Sequence, residues 1–105
     1  MRVCSLLALV VALATGCPPK NEDPAVTRGK AAYMGTCIAC HNMNPAIDGA
    51  LGPALKGSSK ELLEARVVRG VYPAGYKPKR DTKVMPPQPN LAKDIDDIAA
   101  FLAAP

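Results

Sequence analysis

The apolar residues of this 105-residue chain form one unbroken run near the N-terminus and, beyond it, three short groups with helical spacing. Within each group, apolar residues recur three and four positions apart, as they do on one face of an α-helix. No segment of the sequence alternates apolar and polar residues in the way that half-buried strands do. The pattern therefore predicts an all-α fold of three to five short helices separated by long loops.

Each of the three groups follows a recognisable helix start. Asp23 is a candidate N-cap with Pro24 at the first helical position. Residues 58–61, SSKE, form a capping-box pattern in which a hydroxyl and a carboxylate each bind a backbone amide, and Gly70 is well placed to end that helix. Asp94 is the predicted N-cap of the last helix. The predicted inner faces consist of Val26, Gly29 and Tyr33; Leu62, Leu63, Val67 and Val68; and Ile95, Ile98, Phe101 and Leu102.

Two long stretches lack helical spacing. Residues 42–57 are rich in Asn, Pro and Gly, and residues 71–90 contain five prolines together with Gly75. A stretch of about twenty residues without secondary structure is unusual in so small a domain unless it serves a function. We therefore expect residues 71–90 to wrap around another component of the protein.

The N-terminal run has the layout of a secretory signal. A single positive charge, Arg2, precedes an apolar stretch from Val3 to Ala14, and small residues follow as far as Gly16. The apolar stretch is about twelve residues long, well short of the roughly 20 that are needed to span a bilayer. Residues 1–16 are therefore predicted to be a removable signal peptide, and the protein is expected to be exported.

The end of this signal, residues 13–17 (LATGC), resembles the bacterial lipobox, in which cleavage occurs before a cysteine that carries lipid. It departs from that pattern at Ala14, where Leu, Val or Ile is commonest, and ordinary cleavage after Ala14 is the alternative. The resemblance implies that Cys17 is lipidated, that residues 17–23 form a tether and that residues 24–105 form the folded domain. Because two or more acyl chains anchor a protein stably, it also implies a membrane-anchored lipoprotein that faces the periplasm or the cell surface.

The charge and composition exclude one class of partner and indicate an incomplete core. The formal net charge is +4, and +3 once residues 1–16, whose only charged residue is Arg2, are removed. That is well below the density of basic residues in a nucleic-acid-binding protein. The chain has no Trp and a single Phe beside three Tyr. So small a domain with so few large apolar residues would be marginal by itself, and a bound apolar group is expected to complete its core.

The most distinctive stretch is GTCIACHNMNP, residues 35–45, which contains Cys37, Cys40 and the only histidine, His41. The two other cysteines of the chain either leave with the signal or carry lipid, so these are the only thiols of the domain. A framework of several disulfides is then excluded. A closed structural zinc site is disfavoured because it needs four protein ligands.

The spacing Cys-x-x-Cys-His is the attachment motif for c-type haem. Two thiols three residues apart can bond the two vinyl-derived carbons at one edge of the porphyrin, and the adjacent histidine can bind the iron as an axial ligand. Export agrees with this use, because bacteria attach this haem outside the cytoplasm. Two other uses remain open: a thioredoxin-like redox pair, which would require a βαβ pattern that the sequence lacks, and a metal site assembled from two chains.

With these residues in place, the chain resembles the small class I, mitochondrial-type cytochromes c of bacteria. In that family a glycine and an aromatic residue of the first helix pack against an aromatic residue of the last helix, and Gly29, Tyr33 and Phe101 match them. The family's proline, whose carbonyl accepts a hydrogen bond from the haem-binding histidine, matches Pro53 in LGPAL. Its sixth iron ligand, a methionine in a proline-flanked loop, matches Met85 in KVMPPQP.

The resemblance covers about residues 25–104 and implies one covalent haem c with a histidine and a methionine as axial ligands. Two other methionines follow the signal, Met34 and Met43, and both lie close in sequence to the haem cysteines. They are expected in the core or on the histidine side of the haem. Because the chain has no second histidine, two histidine ligands from one chain are excluded.

The resemblance implies a one-electron carrier, not an enzyme, that is monomeric and tethered at the outer side of a membrane. Its partners are expected to be redox proteins with an acidic docking surface, because residues 66–83 are strongly basic. They contain six basic residues and one acid: Arg66, Arg69, Lys77, Lys79, Arg80 and Lys83, with Asp81. Two alternatives stay open. One is a five-coordinate haem gas sensor or peroxidase, in which Met85 would not bind the iron, and the other is a fixed electron-relay subunit of a larger respiratory complex.

Overall fold

The computed structural model describes residues 22–105, so the predicted signal peptide, Cys17 and most of the tether lie outside the described residues. The described chain is helical and contains no strand, which confirms the predicted all-α fold. Its α-helices are α1 (Pro24–Thr36), α2 (Lys60–Leu63) and α3 (Ile95–Ala103). Three short helical turns accompany them: the 3₁₀ turns Cys37–Ala39 and Pro89–Asp94, and the π turn Glu64–Val68.

Helix α1 begins as the sequence predicts. The carboxylate of Asp23 accepts a hydrogen bond from the amide of Ala25 at 2.8 Å, and Pro24 occupies the first helical position, where its missing N–H costs nothing. The helix ends at Thr36 and passes directly into the 3₁₀ turn that begins with Cys37. α1 therefore delivers the first cysteine of the motif without an intervening loop.

The start of α2 differs from the prediction by one residue. Ser59 is the N-cap, and its hydroxyl accepts a hydrogen bond from the amide of Leu62 at 3.1 Å, whereas the hydroxyl of Ser58 donates to a loop carbonyl at 2.6 Å. Glu61 then falls at the second helical position, out of register with the cap. The reciprocal capping box predicted from residues 58–61 is therefore wrong, although the helix start itself is confirmed.

The end of α2 widens into the π turn Glu64–Val68 before Gly70, at a φ of 71°, ends the helical segment as predicted. Single π turns next to α-helices are often found at functional sites. Residues 71–88 contain no helix or strand, as predicted, and helical structure resumes at Pro89.

Helix α3 does not begin at a side-chain cap. Asp94 occupies the N-cap position, but its side chain makes no capping hydrogen bond and its backbone angles, φ −102° and ψ −4°, are already close to helical. The chain arrives from the 3₁₀ turn Pro89–Asp94, so α3 continues a turn that has already started. The predicted capping role of Asp94 is wrong for this reason.

Helices α1 and α3 pack closely because Gly29 has no side chain. A Cβ atom at Gly29 would overlap the backbone carbonyl of Asp97. Beside this contact, the guanidinium of Arg28 donates two hydrogen bonds to the Asp97 carboxylate, at 2.8 and 3.0 Å. The rings of Tyr33 and Phe101 also meet, with centroids 5.3 Å apart. The glycine and the two aromatic residues therefore pack as the resemblance implies.

The buried core lies between α1, the α2 region and α3, and consists of Tyr33, Leu63, Val67, Leu91, Ile95, Ile98 and Leu102. Phe101 was predicted to be buried with them but is only half-buried, because it lies at the edge of the core against Tyr33. Among the helices of residues 22–105, none combines the length and apolar character that a membrane span requires.

Candidate cofactor site

The Cys-x-x-Cys-His motif is folded into a single tight turn. The amides of Cys40 and His41 both donate to the carbonyl of Cys37, at 3.2 and 2.9 Å. Both thiols are half-buried and free. Burial raises the pKa of the Cys37 thiol to about 11, so this thiol is protonated at neutral pH. The reactive thiolate of a thioredoxin-like pair has a lowered pKa instead, which disfavours that use of the motif.

His41 is buried, with 9% of its surface exposed, and one hydrogen bond fixes the orientation of its ring. Nδ1 lies 2.9 Å from the carbonyl oxygen of Pro53. Because a carbonyl can only accept, Nδ1 donates this hydrogen bond, and in the neutral imidazole the lone pair of Nε2 is then free. The imidazole is therefore prepared to bind a metal ion through Nε2. The carbonyl bound to Nδ1 is that of Pro53, the partner that the resemblance implies.

Gly52 shapes the loop beneath this ring, although the sequence did not single it out as a site residue. A Cβ atom at Gly52 would overlap the imidazole of His41, so no larger residue fits there. The amide of Gly52 donates to the carbonyl of Cys40 at 3.0 Å, which ties the loop to the motif. The Gly-Pro pair in LGPAL was the available signal, since it marks a tight turn shortly after the histidine.

His41 and Met85 line the same pocket, although they come from distant parts of the sequence. About 810 Å³ of empty space lies within the pocket, and this figure includes space that is open to solvent. Its apolar lining includes Leu51, Leu55, Leu62, Leu63, Val67 and Val84. Cys40 and Pro53 line it as well, whereas Cys37 packs against the core. Four of the five predicted cofactor-binding residues therefore surround one pocket, and the fifth belongs to the adjoining turn.

This set of residues fits a covalently attached haem. The pocket has a mainly apolar lining, and two thiols of one turn are available for two thioether bonds. The imidazole of His41 offers a free Nε2, and Met85, which is half-buried against the core, offers a thioether sulphur. Nitrogen and thioether donors of these kinds are the axial ligands of electron-transfer haems.

The two other methionines of the domain lie outside the pocket lining. Met34 is half-buried and packs against the core, while Met43 is 64% exposed. Met34 therefore packs against the core, as expected, and Met43 is too exposed to belong to the core.

Half of the basic residues predicted to form a docking face instead bind backbone carbonyls around the pocket. The side chains of Arg66, Lys79 and Arg80 donate to the carbonyls of Met85, Ala54 and Gly49, at 3.3, 2.7 and 3.2 Å. Lys79 is exposed despite this bond, and the other three, Arg69, Lys77 and Lys83, are exposed as well. Three residues of the basic run therefore bind loop carbonyls, and four of its six basic residues face solvent.

The domain matches one known family over most of its length. The family model described as cytochrome C oxidase, cbb3-type, subunit III covers residues 24–102, which include the Cys-x-x-Cys-His motif and Met85. No curated protein and no solved structure matches the chain. The sequence leaves open whether the Cys-x-x-Cys-His motif is a haem attachment site, a redox pair or a shared metal site. Membership of this family favours the haem attachment site, because c-type cytochromes bind their haem through this motif. The chain belongs to this family and is a class I c-type cytochrome, whose covalently bound haem serves in electron transfer.

Proposed function

We propose that this cytochrome is a one-electron carrier whose haem iron is bound by His41 and Met85. The observation that carries the proposal is that these residues line one apolar pocket and are the only histidine and the only methionine among its lining residues. The haem supplies a single-electron change at its iron. The residues of the chain hold it, keep water away from it and set how readily it is reduced.

Each of these residues has a distinct part. Cys37 and Cys40 would hold the group covalently, each through one thioether bond. The carbonyl of Pro53 keeps the proton on Nδ1 of His41, so that Nε2 remains the ligand atom and the ring does not rotate. Met85 contributes an uncharged sulphur, and methionine with histidine gives a high reduction potential among haem ligand sets.

Ligation by two side chains supports a carrier over an enzyme, because it leaves no coordination position for a substrate. A second candidate, a fixed electron-relay subunit, is favoured by the family description, which names a subunit of an oxidase. A relay subunit would co-purify with partners in constant stoichiometry, whereas a free carrier would be recovered alone. A five-coordinate gas sensor or peroxidase would require Met85 to lie away from the iron.

The absorption spectrum of the haem-loaded protein tests the proposed ligation. The oxidised protein is expected to show the weak red absorption of methionine-ligated haem, and the reduced protein is expected not to bind carbon monoxide at neutral pH. Both results follow if the sulphur of Met85 occupies the sixth position. Ready binding of carbon monoxide by the untouched protein would instead favour the five-coordinate sensor or peroxidase.

We also propose that acidic redox partners dock beside the pocket, at the exposed lysines Lys77 and Lys83. Electrostatic steering by this group predicts that the rate of electron transfer to an acidic partner falls by about tenfold between low and physiological ionic strength. The variant Lys77→Glu/Lys83→Glu should lose most of this dependence. Lys30→Glu/Lys56→Glu, which makes the same change in net charge at two exposed lysines outside residues 66–83, should retain it. If both variants lose the dependence on ionic strength equally, the net charge of the protein explains it and the proposed docking site is wrong.

The membrane anchor remains a proposal that rests on the sequence. Cys17 follows a lipobox-like stretch, and six residues separate it from α1 at Pro24. Six extended residues reach roughly 20 Å. A lipid on Cys17 would therefore keep the haem domain close to the membrane in which the lipid is inserted, and close to membrane-bound partners. The intact mass of the mature protein distinguishes this from cleavage after Ala14, because only lipidation leaves an acylated Cys17 at the N-terminus.

A further inference from the structure

The loop that carries Met85 has almost no hydrogen bonds of its own. Of residues 85–89, MPPQP, three are prolines, and proline has no N–H to donate. Only Met85 and Gln88 can donate from the backbone. The amide of Gln88, which would close an ordinary turn onto the carbonyl of Met85, donates instead to the carbonyl of Val67 at 2.6 Å. The position of this loop therefore depends on hydrogen bonds to residues outside it.

Two of the three hydrogen bonds that join the loop to other residues come from the π turn Glu64–Val68, and the third runs from the amide of Leu91 to the carbonyl of Gln88 at 3.0 Å. Val67 accepts the amide of Gln88, and the neighbouring Arg66 donates through its guanidinium to the carbonyl of Met85 at 3.3 Å. Two consecutive residues of one turn therefore hold the loop at Met85 and again three residues later. At Met85 itself, the bond from Arg66 is the one that joins the loop to this turn.

The side chain of Arg66 is itself held in place. It is half-buried, lines the pocket and has its guanidinium carbon 5.1 Å from the centre of the Tyr72 ring. A cation over an aromatic face is attracted by the ring, more strongly when water is partly excluded. The arginine thus reaches Met85 from a fixed position, whereas Arg69, one helical turn further on, is exposed.

We propose that Arg66 is the positioning residue for the sixth ligand: its bond to the Met85 carbonyl keeps the thioether at the iron against competing ligands. This inference rests on the proposed ligation by Met85. Arg66 touches neither the iron nor the sulphur in this role. It acts through the backbone of Met85, and losing it makes detachment of the sulphur easier while the histidine side stays unchanged.

The test compares Arg66→Gln with Arg69→Gln in the full-length, haem-loaded protein, since both variants remove one positive charge from the same helical segment. The measurement is the affinity of the oxidised protein for added imidazole, which must displace the methionine to bind. Arg66→Gln is expected to bind imidazole about tenfold more tightly than the wild type, as suits the loss of one hydrogen bond from a charged donor. Arg69→Gln should stay close to the wild-type value, and Arg66→Lys, which keeps the charge and one donor, should lie between them.

The outcomes separate this inference from the function on which it rests. If the wild type lacks the red absorption, ligation by Met85 fails and the positioning role fails with it. If the wild type shows that absorption but Arg66→Gln binds imidazole no more tightly, only the positioning role is overturned. Equal changes in Arg66→Gln and Arg69→Gln would also overturn it, in favour of net charge. Should Arg66→Gln not retain haem, Arg66→Lys decides, because a wild-type affinity in that variant contradicts the proposal.

Discussion

Replacing Met85 with alanine is expected to abolish the red absorption of the oxidised protein, to open the reduced protein to carbon monoxide and to lower its reduction potential. The substitution removes the only methionine sulphur of the pocket lining, and the carbonyl that Arg66 binds remains. Water or an added ligand then takes the sixth position. The potential should fall by on the order of 100 mV, a modest part of the range that axial ligands span in haem proteins.

The matched controls are Met43→Ala and Met34→Leu. Met43 is 64% exposed and lies outside the pocket lining, so its removal changes no contact of the site. Met34 packs against the core, and leucine nearly conserves its volume. Both variants should retain the red absorption, the potential and the resistance to carbon monoxide. If Met85→Ala keeps the red absorption, the sixth ligand is another group and the carrier proposal loses its main support.

The sequence predicts the fold well because the helices depend on local signals. Spacing of apolar residues gives all three α-helices, Asp23 gives the start of α1, and Gly70 gives the end of the helical segment that begins with α2. The errors occur where neighbouring residues, and not the local sequence, determine how a helix starts. Asp94 is a residue type that often caps helices, but the preceding 3₁₀ turn already directs the chain into α3. The hydroxyl of Ser58 binds a loop carbonyl, so the cap of α2 moves to Ser59.

The site is predictable only in part, for a physical reason. The histidine and its proline partner are twelve residues apart and belong to recognisable motifs. The loop bonds of Lys79 and Arg80 join residues 25 and 31 positions apart, and nothing in a run of basic residues shows which of them will bind a backbone carbonyl. The same is true of the π turn, because its sequence has the apolar spacing of an ordinary α-helix. These features appear only once the tertiary contacts are known.

Gly29→Ala is expected to destabilise the protein more than the addition of a methyl group at any other position of α1. The new Cβ would overlap the backbone of Asp97 and Ile98 in α3, and backbone atoms, unlike a side chain, cannot rotate away. The helices must therefore separate, which weakens the Arg28–Asp97 pair and the contact between the core helices. Overpacking of this kind costs about 3 kcal/mol, a large part of the total stability of a small domain.

Gly35→Ala is the matched control, because Gly35 also lies in α1 and a Cβ there would meet no atom within 4 Å. Removing a glycine from an exposed helix position should stabilise the protein by roughly 0.5 to 1 kcal/mol. Denaturant unfolding of the haem-loaded protein measures both variants, and they should shift the midpoint in opposite directions. The Gly29 variant should also disturb the haem site, because Tyr33, in the same interface, donates its hydroxyl to the carbonyl of Asn42, directly after the haem-binding histidine, at 2.5 Å. A Gly29→Ala protein as stable as Gly35→Ala would mean that the close approach of α1 and α3 does not hold this fold together.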